Sequence, residues 1–201
     1  MSKSMERDAI FAGVPVIETP RLILRGIRAD DAEAIFATFS DAETMEYYGE
    51  EPHRTLEDSR EHIRAIAGWF ARREGIRWGV TLRAGGDEVI GSCGLFRFDE
   101  DFDRAETGYE LRRAYWRQGI MSEAMRGLLD FGFGELGLHR IEALTDGANE
   151  RSQGLLRSLG FTPEGILRER FAWHGRFHDE HYFGLLRDEW LASTRRHSPL
   201  S

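Results

Sequence analysis

The sequence has one cysteine and no long hydrophobic run. Cys93 stands alone among 201 residues, so the chain cannot form an internal disulfide, which suits a reducing cytosol. No segment reaches the length and apolarity that a membrane-spanning helix needs. Residues 1–13 mix charges with short apolar pieces and lack the apolar centre of a signal peptide. We therefore expect a cytoplasmic protein that does not bind membranes.

Lysine is equally scarce. Lys3 is the sole lysine and the other basic residues are arginines, a skew that genomic codon bias explains. The net charge is −8, and an acidic surface disfavours non-specific nucleic-acid binding while mildly favouring a cationic partner. We expect no nucleic-acid partner.

The sequence also lacks repeats, low-complexity runs and Pro/Gly/Ser-rich linkers between residues 15 and 192. The whole chain, 1–201, is therefore predicted to form one domain, as a monomer or a homodimer. Residues in the ranges 1–13 and 194–201 show no apolar periodicity and are expected to be loose.

Hydrophobic periodicity divides the chain into strands and helices. One helix is predicted to be capped by Asp30 and Asp31 and a second to open at Thr55, with further helices at 118–133 and 149–159. The predicted strands are 21–25, 77–83, 89–96, 105–111, 139–144, 161–173 and 177–186. The order βααβββαβαββ indicates an α+β fold with one crossover unit, which excludes a doubly wound dinucleotide fold.

The segment 116–124 lies where a strand is followed by a helix. The first N–H groups of a helix lack intrahelical partners and lie at the positive end of its dipole, so such a junction can bind an anion. Gly119 would allow an anion to approach the backbone closely, and Arg117 could add a charge-assisted contact to phosphate. A single glycine before a helix is more often an ordinary connection, and the segment matches neither a P-loop nor a dinucleotide-binding motif.

Residues 106–124, from Glu-Thr-Gly-Tyr-Glu-Leu to Gln-Gly-Ile-Met-Ser-Glu-Ala, resemble motif A of the GNAT superfamily of N-acetyltransferases, usually written Gln/Arg-x-x-Gly-x-Gly/Ala. In that motif, backbone amides hold the pyrophosphate of coenzyme A. The resemblance implies that acetyl-CoA is the co-substrate, with no metal. The amides would come from Gln118, Gly119, Ile120, Met121 and Ser122.

The sequence departs from motif A at two positions. Trp116 occupies the Gln/Arg position, as is common in the branch that acetylates ribosomal proteins. Met121 occupies the final Gly/Ala position and leaves less space than glycine there.

A second segment begins at Asn149. This residue is a good helix N-cap and Gly160 a good C-terminal stop, and these roles need no ligand. Asn149-x-x-Ser152 followed by Leu-Gly-Phe also resembles motif B, in which the asparagine contacts the pantetheine or the acetyl end. Ser152 matches a serine proposed, in the ribosomal-protein branch, to protonate the leaving thiolate. Many members instead carry a tyrosine where this sequence has Leu156.

The resemblance runs from residues 18–25 to residues 179–190, and both ends resemble the RimJ/RimL type, which acetylates ribosomal-protein N-termini. It implies the GNAT fold: a mixed, mostly antiparallel, twisted central sheet flanked by helices, with a splayed strand pair holding the cofactor. The implied reaction is acetyl transfer to a primary amine, for which a protein or peptide N-terminus is the first candidate. The alternatives are a small-molecule amine (a polyamine, amino acid or aminoglycoside) and a non-catalytic acyl-CoA sensor.

Direct transfer requires a neutral amine, so a base must accept its proton. Glu106 and Glu110 are the candidates, because a spacing of four on a strand keeps both on one face. Glu106 better matches the superfamily's strand glutamate, although both could be ordinary solvent-facing carboxylates. The resemblance also implies a backbone oxyanion donor near Leu111. Phe171 stands where some ribosomal-protein acetyltransferases carry a catalytic glutamate.

Other reactive groups fit less well. Cys93 lies in an apolar strand and is expected to be a buried, inert thiol. His174, His178 and His181 flank one turn without a fixed ligand spacing, so we expect solvated histidines and no zinc site. Residues 47–51, with two tyrosines and two glutamates, fall where the superfamily builds its acceptor site.

Overall fold

An eight-stranded sheet organises the molecule, with strand order β1-β2-β3-β4-β5-β6-β8-β7. The computed structural model describes residues 9–99 and 103–197. The strands are β1 (Ile17–Glu18), β2 (Leu22–Gly26), β3 (Gly75–Leu82), β4 (Gly91–Asp99), β5 (Arg104–Leu111), β6 (Arg140–Asp146), β7 (Thr162–Trp173) and β8 (Arg176–Leu186). The helices are α1 (Ala32–Phe39), α2 (Ala42–Met45), α3 (Leu56–Ala71), α4 (Ile120–Gly134), α5 (Glu150–Ser158) and α6 (Arg187–His197).

The sheet is mixed. β5 and β6 run parallel and are joined by the crossover helix α4, whereas the other neighbouring strands pair antiparallel. The predicted fold class, a mostly antiparallel sheet flanked by helices, is confirmed.

Two apolar clusters hold the layers together. The larger joins α4 to the sheet through residues such as Trp78, Leu95 and Leu128, all fully buried. The smaller joins α1 to α3 around Phe39 and Ile63. Successive side chains of a strand point to opposite faces of the sheet, so the strand residues that do not face these apolar clusters can be polar. Among the helices of the described ranges, none is long and apolar enough to cross a membrane.

The start of α1 differs from the prediction. A 3-10 turn, Ala29–Asp31, precedes the helix, and the Asp31 side chain does not cap it. Its carboxylate instead accepts the Arg28 amide (2.7 Å) and the Arg25 guanidinium (2.8 Å). Arg25 and Asp31 are both buried, so an ion pair inside the fold displaced the local cap.

Both chain ends contain described residues within the ranges expected to be loose. The Phe11 ring packs on two rings that are distant in sequence, Phe70 (5.4 Å between ring centroids) and Phe98 (6.1 Å). α6 continues to His197, into the tail expected to be loose from residue 194. Residues 1–8, 100–102 and 198–201 lie outside the described residues.

Candidate active site

Strands β5 and β6 separate in the middle of the sheet. They pair over residues 104–107 and 140–143. Beyond this point β5 stays with β4 as far as Leu111 and β6 stays with β8 as far as Asp146. The splayed pair implied by the family resemblance is therefore confirmed, and we call the space between the two strands the gap.

The free edge of β5 presents backbone groups to the gap. In an antiparallel ladder, the N–H and C=O groups of successive residues point alternately to opposite sides. The Arg112 amide donates to the Ile90 carbonyl of the β4 side (2.8 Å), so the backbone groups of Tyr109 and Leu111 point towards the gap. The Leu111 carbonyl accepts the Trp116 indole N–H (2.6 Å). The Leu111 amide therefore has the orientation that an oxyanion donor needs.

Two cavities meet at the gap. One, of about 640 Å³, reaches α3, and the other, of about 420 Å³, reaches the start of α4. Five residues line both cavities: Tyr47, Tyr48, Tyr109, Asn149 and Ser152. Two molecules bound in the separate cavities would therefore meet beside these side chains.

The smaller cavity ends at the loop before α4. Gly119 has a φ of 71° and Arg117 a φ of 59°, and glycine adopts this left-handed conformation without strain. No side chain caps the helix. The amides of Ile120, Met121 and Ser122 lie in the first turn, where a helix offers them no carbonyl partner. The loop thus has the form of an anion site.

Arg21 braces this loop from outside. Its guanidinium donates to the Gln118 carbonyl (3.1 Å) and pairs with Glu123 (2.5 Å). Glu123 also accepts from the Thr19 hydroxyl (2.6 Å). Sequence reasoning missed this brace because it joins segments about a hundred residues apart, for which no local pattern exists.

Most of the predicted cofactor residues come together in the smaller cavity. They are Leu111, Arg117, Gly119, Ile120, Met121, Ser122, Asn149 and Ser152. Gln118 differs, since its side-chain amide donates to the Ala114 carbonyl (3.0 Å) and so shapes the loop. The Met121 side chain packs into the larger apolar cluster.

Helix α2, which periodicity did not reveal, forms another wall of the smaller cavity. Glu43 of this helix accepts from Arg113 (3.0 Å) and Arg151 (3.4 Å). Arg151 also lies over the Trp116 ring, 4.5 Å from its centroid. These contacts tie α2 to the residues before α4 and to α5. Trp116, at the Gln/Arg position of the motif, thus contacts α5 through Arg151.

Glu106 lines the larger cavity. Its side chain is 17% exposed and pairs at 2.8 Å with Arg97, which is 73% exposed. Burial raises the pKa of Glu106, against the opposing charge of Arg97. A partly buried carboxylate with a raised pKa, facing a cavity, has the surroundings of a general base.

Glu110 lies on the same face as Glu106, because β5 pairs with β4 without a register shift from residue 106 to 111. Its surroundings are quite different. The carboxylate is buried, with one oxygen bound by Arg77 and the other by the Ser92 hydroxyl. Arg77 in turn donates to Ser92 (2.7 Å) and Tyr48 (3.3 Å). Both oxygens of Glu110 are therefore engaged within the protein.

Two hydroxyl groups meet across the gap. The Tyr109 oxygen lies 2.8 Å from Ser152 Oγ and 3.3 Å from the Ser152 carbonyl. Burial raises the pKa of Tyr109 to about 12, so its phenol keeps its proton at neutral pH. Asn149 Oδ1 accepts the Ser152 amide (3.0 Å) and caps α5 as predicted. Leu156, at the position where many family members carry a tyrosine, lines the larger cavity. Tyr109 also lines that cavity, although sequence reasoning had not included it among the site residues.

Acidic and aromatic side chains surround the larger cavity. Glu50, Glu74 and Glu106 supply carboxylates, and Trp69 is among the rings. Three of the five residues 47–51, namely both tyrosines and Glu50, line it. Glu51 faces the His174 ring instead, at 4.0 Å.

The cysteine and the histidines were the other candidate reactive groups. Cys93 is buried, and burial raises the pKa of its thiol to about 12, so it is inert as predicted. His178 is not a solvated turn histidine: its Nδ1 lies 2.6 Å from an Asp146 carboxylate oxygen, and its ring stacks on Phe171 (5.3 Å). Within the described ranges, no group of His, Cys, Asp and Glu side chains could hold a metal ion.

Known proteins share this sequence pattern and fold. The acetyltransferase (GNAT) domain family matches residues 21–162. The uncharacterized N-acetyltransferase YoaA of Bacillus subtilis is 39% identical over 173 residues, which cover 86% of this chain and 97% of YoaA. The spermidine N(1)-acetyltransferase of Escherichia coli is 25% identical, covering 86% of this chain and 89% of that enzyme.

A solved structure from Vibrio cholerae, proposed to be a ribosomal-protein-serine acetyltransferase, aligns with a TM-score of 0.74 and 28% identity. The alignment covers 86% of this chain and 98% of that one. The family match spans both half-motifs and the splayed strands, and most of the chain aligns with a 39% identical N-acetyltransferase. The chain belongs to the GNAT family and is an acetyl-CoA-dependent N-acetyltransferase.

Proposed function

We propose that Glu106 is the base for acetyl transfer to a primary amine bound in the larger cavity. The observation that carries this proposal is the contrast between the two strand carboxylates. Burial raises the pKa of both carboxyls, but Glu106 faces the larger cavity beside the exposed Arg97, whereas both oxygens of Glu110, which lines the smaller cavity, are held by the buried Arg77 and by Ser92. Acetyl-CoA would occupy the smaller cavity, with its pyrophosphate at the amides of residues 118–122 and its thioester at the gap.

The proposed reaction has three steps. Glu106, directly or through water, takes a proton from the bound ammonium, and the neutral amine attacks the acetyl carbonyl. The oxyanion then accepts a hydrogen bond from the Leu111 amide, which points towards the gap. The carbon–sulfur bond breaks with its electron pair on sulfur, beside Ser152. Since this order needs no covalent enzyme intermediate, the inert thiol of Cys93 has no part in it.

The acceptor is proposed to be cationic. Glu50 and Glu74 lie in the same cavity as Glu106, and Trp69 offers a ring against which an ammonium group can rest. The leading candidate is a protein or peptide N-terminus, supported by the resemblance to the RimJ/RimL type and to the Vibrio cholerae protein. The second candidate is a polyamine, supported by the acidic cavity and by the similarity to the spermidine enzyme.

Release of free CoA thiol tests the assignment of the base. Glu106→Gln should lower kcat/KM at least about 100-fold, the usual contribution of general base catalysis. Glu142→Gln is the matched control, because Glu142 is the register neighbour of Glu106 on β6 but pairs with Arg104 and Arg140. An unchanged rate in Glu106→Gln would refute the proposed base.

A panel of acceptors tests the substrate class in the same assay. It would contain peptides with free N-termini, spermidine, single amino acids and an aminoglycoside. A higher kcat/KM for peptides than for the small amines supports a protein or peptide N-terminus as the acceptor. A higher kcat/KM for spermidine than for peptides supports a polyamine. Tight CoA binding with no thiol release from any acceptor would favour the acyl-CoA sensor and refute both.

A further inference from the structure

We infer that Tyr109 is a positioning residue that directs the Ser152 hydroxyl towards the sulfur of acetyl-CoA and so stabilises the leaving thiolate. The inference deepens the proposed function and rests on it for the position of the thioester. It assigns a role to a tyrosine of strand β5, which is separated from motif B by the crossover helix α4.

The position of the pair is the first argument. Tyr109 and Ser152 line both cavities, so they stand where an acyl donor in one and an amine in the other would meet. They belong to opposite walls of the gap, since Tyr109 lies on β5 and Ser152 on α5 after β6. Their hydroxyl oxygens are 2.8 Å apart, a good O–H···O distance.

The direction of the hydrogen bond is the second argument. The Tyr109 oxygen lies near two Ser152 atoms, Oγ at 2.8 Å and the carbonyl oxygen at 3.3 Å. The contact with Oγ is the shorter one, and a phenol is a stronger hydrogen-bond donor than an alkyl hydroxyl, so we assign the single phenol hydrogen to Oγ rather than to the carbonyl. Ser152 Oγ is then the acceptor, and its own hydrogen is left to point elsewhere. At this junction it can point to a sulfur atom in the gap.

The neighbouring hydroxyl groups make other contacts, which is the third argument. The Tyr48 oxygen accepts from Arg77 (3.3 Å), which holds that hydroxyl beside the buried Arg77–Glu110 pair. Thr107 donates its hydrogen to the Gly94 carbonyl (2.8 Å). The Tyr109–Ser152 hydrogen bond, by contrast, joins the two walls of the gap.

The chemistry balances without a proton leaving Tyr109. The carbon–nitrogen bond forms, the carbon–sulfur bond breaks, and the electron pair stays on sulfur. The ammonium loses two protons on becoming the amide: the first passes through Glu106 to solvent, and the second, released from nitrogen after the attack, reaches sulfur through solvent. Ser152 contributes a hydrogen bond that strengthens as charge develops on sulfur, which is the condition for lowering a barrier. Tyr109 contributes by keeping that hydrogen bond pointed at the sulfur.

Titration of CoA bound to the enzyme tests the inference without any acceptor. The ultraviolet absorbance of the thiolate reports the pKa of the CoA thiol in the complex. A hydrogen bond from Ser152 should lower that pKa below the value for free CoA. Tyr109→Phe and Ser152→Ala should each raise it by about one pH unit, a tenfold change in proton affinity. Tyr182→Phe, a control on β8 outside the lining of both cavities, should leave it unchanged.

Three results would overturn the inference. One is a CoA thiol in the wild-type complex with the pKa of free CoA, and another is a Tyr109→Phe complex with the wild-type pKa. The third is loss of CoA binding by calorimetry in Tyr109→Phe, since a variant that keeps the ring should keep the cavity. Because the titration does not involve Glu106 or an amine, failure of the proposed base would show up separately, in thiol release.

Turnover adds a second readout. Tyr109→Phe should lower kcat about tenfold with little change in KM for acetyl-CoA, and the double variant with Ser152→Ala should be no slower than Ser152→Ala alone. With an acetyl thioester of a more acidic thiol, which leaves readily by itself, the defect should shrink. Additive losses, or equal defects with both donors, would contradict the role assigned to Tyr109.

Discussion

Replacing Glu110 with glutamine should destabilise the fold while sparing the chemistry. Glu110 and its partner Arg77 are both buried, with side chains 3% and 7% exposed. Burial alone would lower the pKa of Arg77, but the charge of Glu110 raises it above its usual value, so the guanidinium stays charged. The substitution removes the compensating charge and leaves a buried cation without a counter-ion.

The size of the effect follows from that burial. Breaking a buried ion pair by removing one partner costs about 3–5 kcal/mol. Glutamine still offers one oxygen to Ser92 or Arg77, which places the expected loss near the lower end of this range. For a chain of this length, each kcal/mol shifts the melting temperature by about 2–4 °C, so Tm should fall by about 6–12 °C.

Urea unfolding and calorimetry would measure the loss, with two comparisons. Arg97→Gln removes the exposed partner of Glu106 and should cost about 1 kcal/mol or less, as expected for an exposed ion pair. The double variant Arg77→Met with Glu110→Leu should be more stable than Glu110→Gln, because it leaves no buried charge unpaired. A loss below about 1 kcal/mol in Glu110→Gln would refute the reasoning.

The same variant separates structure from catalysis. Measured below its melting temperature, Glu110→Gln should keep kcat/KM within about threefold of wild type, since Glu106 takes the proton in the proposed reaction. A fall of about 100-fold in a fully folded Glu110→Gln enzyme, the size of a lost general base, would transfer the catalytic role from Glu106 to Glu110.

Three further predictions concern the loop, the base and the helix cap. Gly119→Val should raise the calorimetric Kd for CoA at least tenfold, because a φ of 71° disfavours a β-branched residue, whereas Gly134→Val, with open space around it, should not; equal affinities would refute the loop assignment. The activity kcat/KM should fall as pH drops through the raised pKa of Glu106, since the ionised form is the base; Glu106→Gln should lose this limb, and an identical acid limb would exclude Glu106. Asn149→Ala should cost about 1 kcal/mol in urea unfolding by removing the cap of α5, and Asn149→Ser should restore most of it; equal stability of the two variants would contradict the capping role.

Much of the fold could be read from local pattern. The strand and helix positions, the cap at Asn149 and the left-handed Gly160 (φ 93°) follow from residue preferences that act within a few positions. The family resemblance also implied a splayed strand pair, which β5 and β6 form. Helix α2 and the two-residue strand β1 were not predicted, because segments of that length contain too few residues to show a hydrophobic period.

The site was less predictable, because its decisive contacts join distant segments. The Arg21 brace of the loop and the Glu43 contacts of α2 depend on which elements lie side by side, which periodicity does not report. Tyr109 is the clearest case. In sequence it is one of several strand aromatics, and its hydroxyl acquires a partner only when α5 places Ser152 across the gap.

The two strand glutamates show how the same local pattern placed one carboxylate beside an exposed arginine at a cavity and the other in a buried ion pair. The alternation of side chains along a strand predicted correctly that both glutamates share a face of the sheet. Their surroundings depend on which side chains of neighbouring strands reach across that face. Arg77 on β3 stands beside Gly94 on β4, which in turn stands beside Gly108 on β5. A Cβ on Gly94 would lie 3.3 Å from Arg77 Cγ, so the absence of a side chain there lets the arginine extend across β4 to Glu110. Glu106 pairs instead with an exposed arginine and keeps its access to the cavity. The proposed catalytic assignment therefore depends on a glycine of β4, the strand between the arginine and Glu110, in a register that only the folded sheet defines.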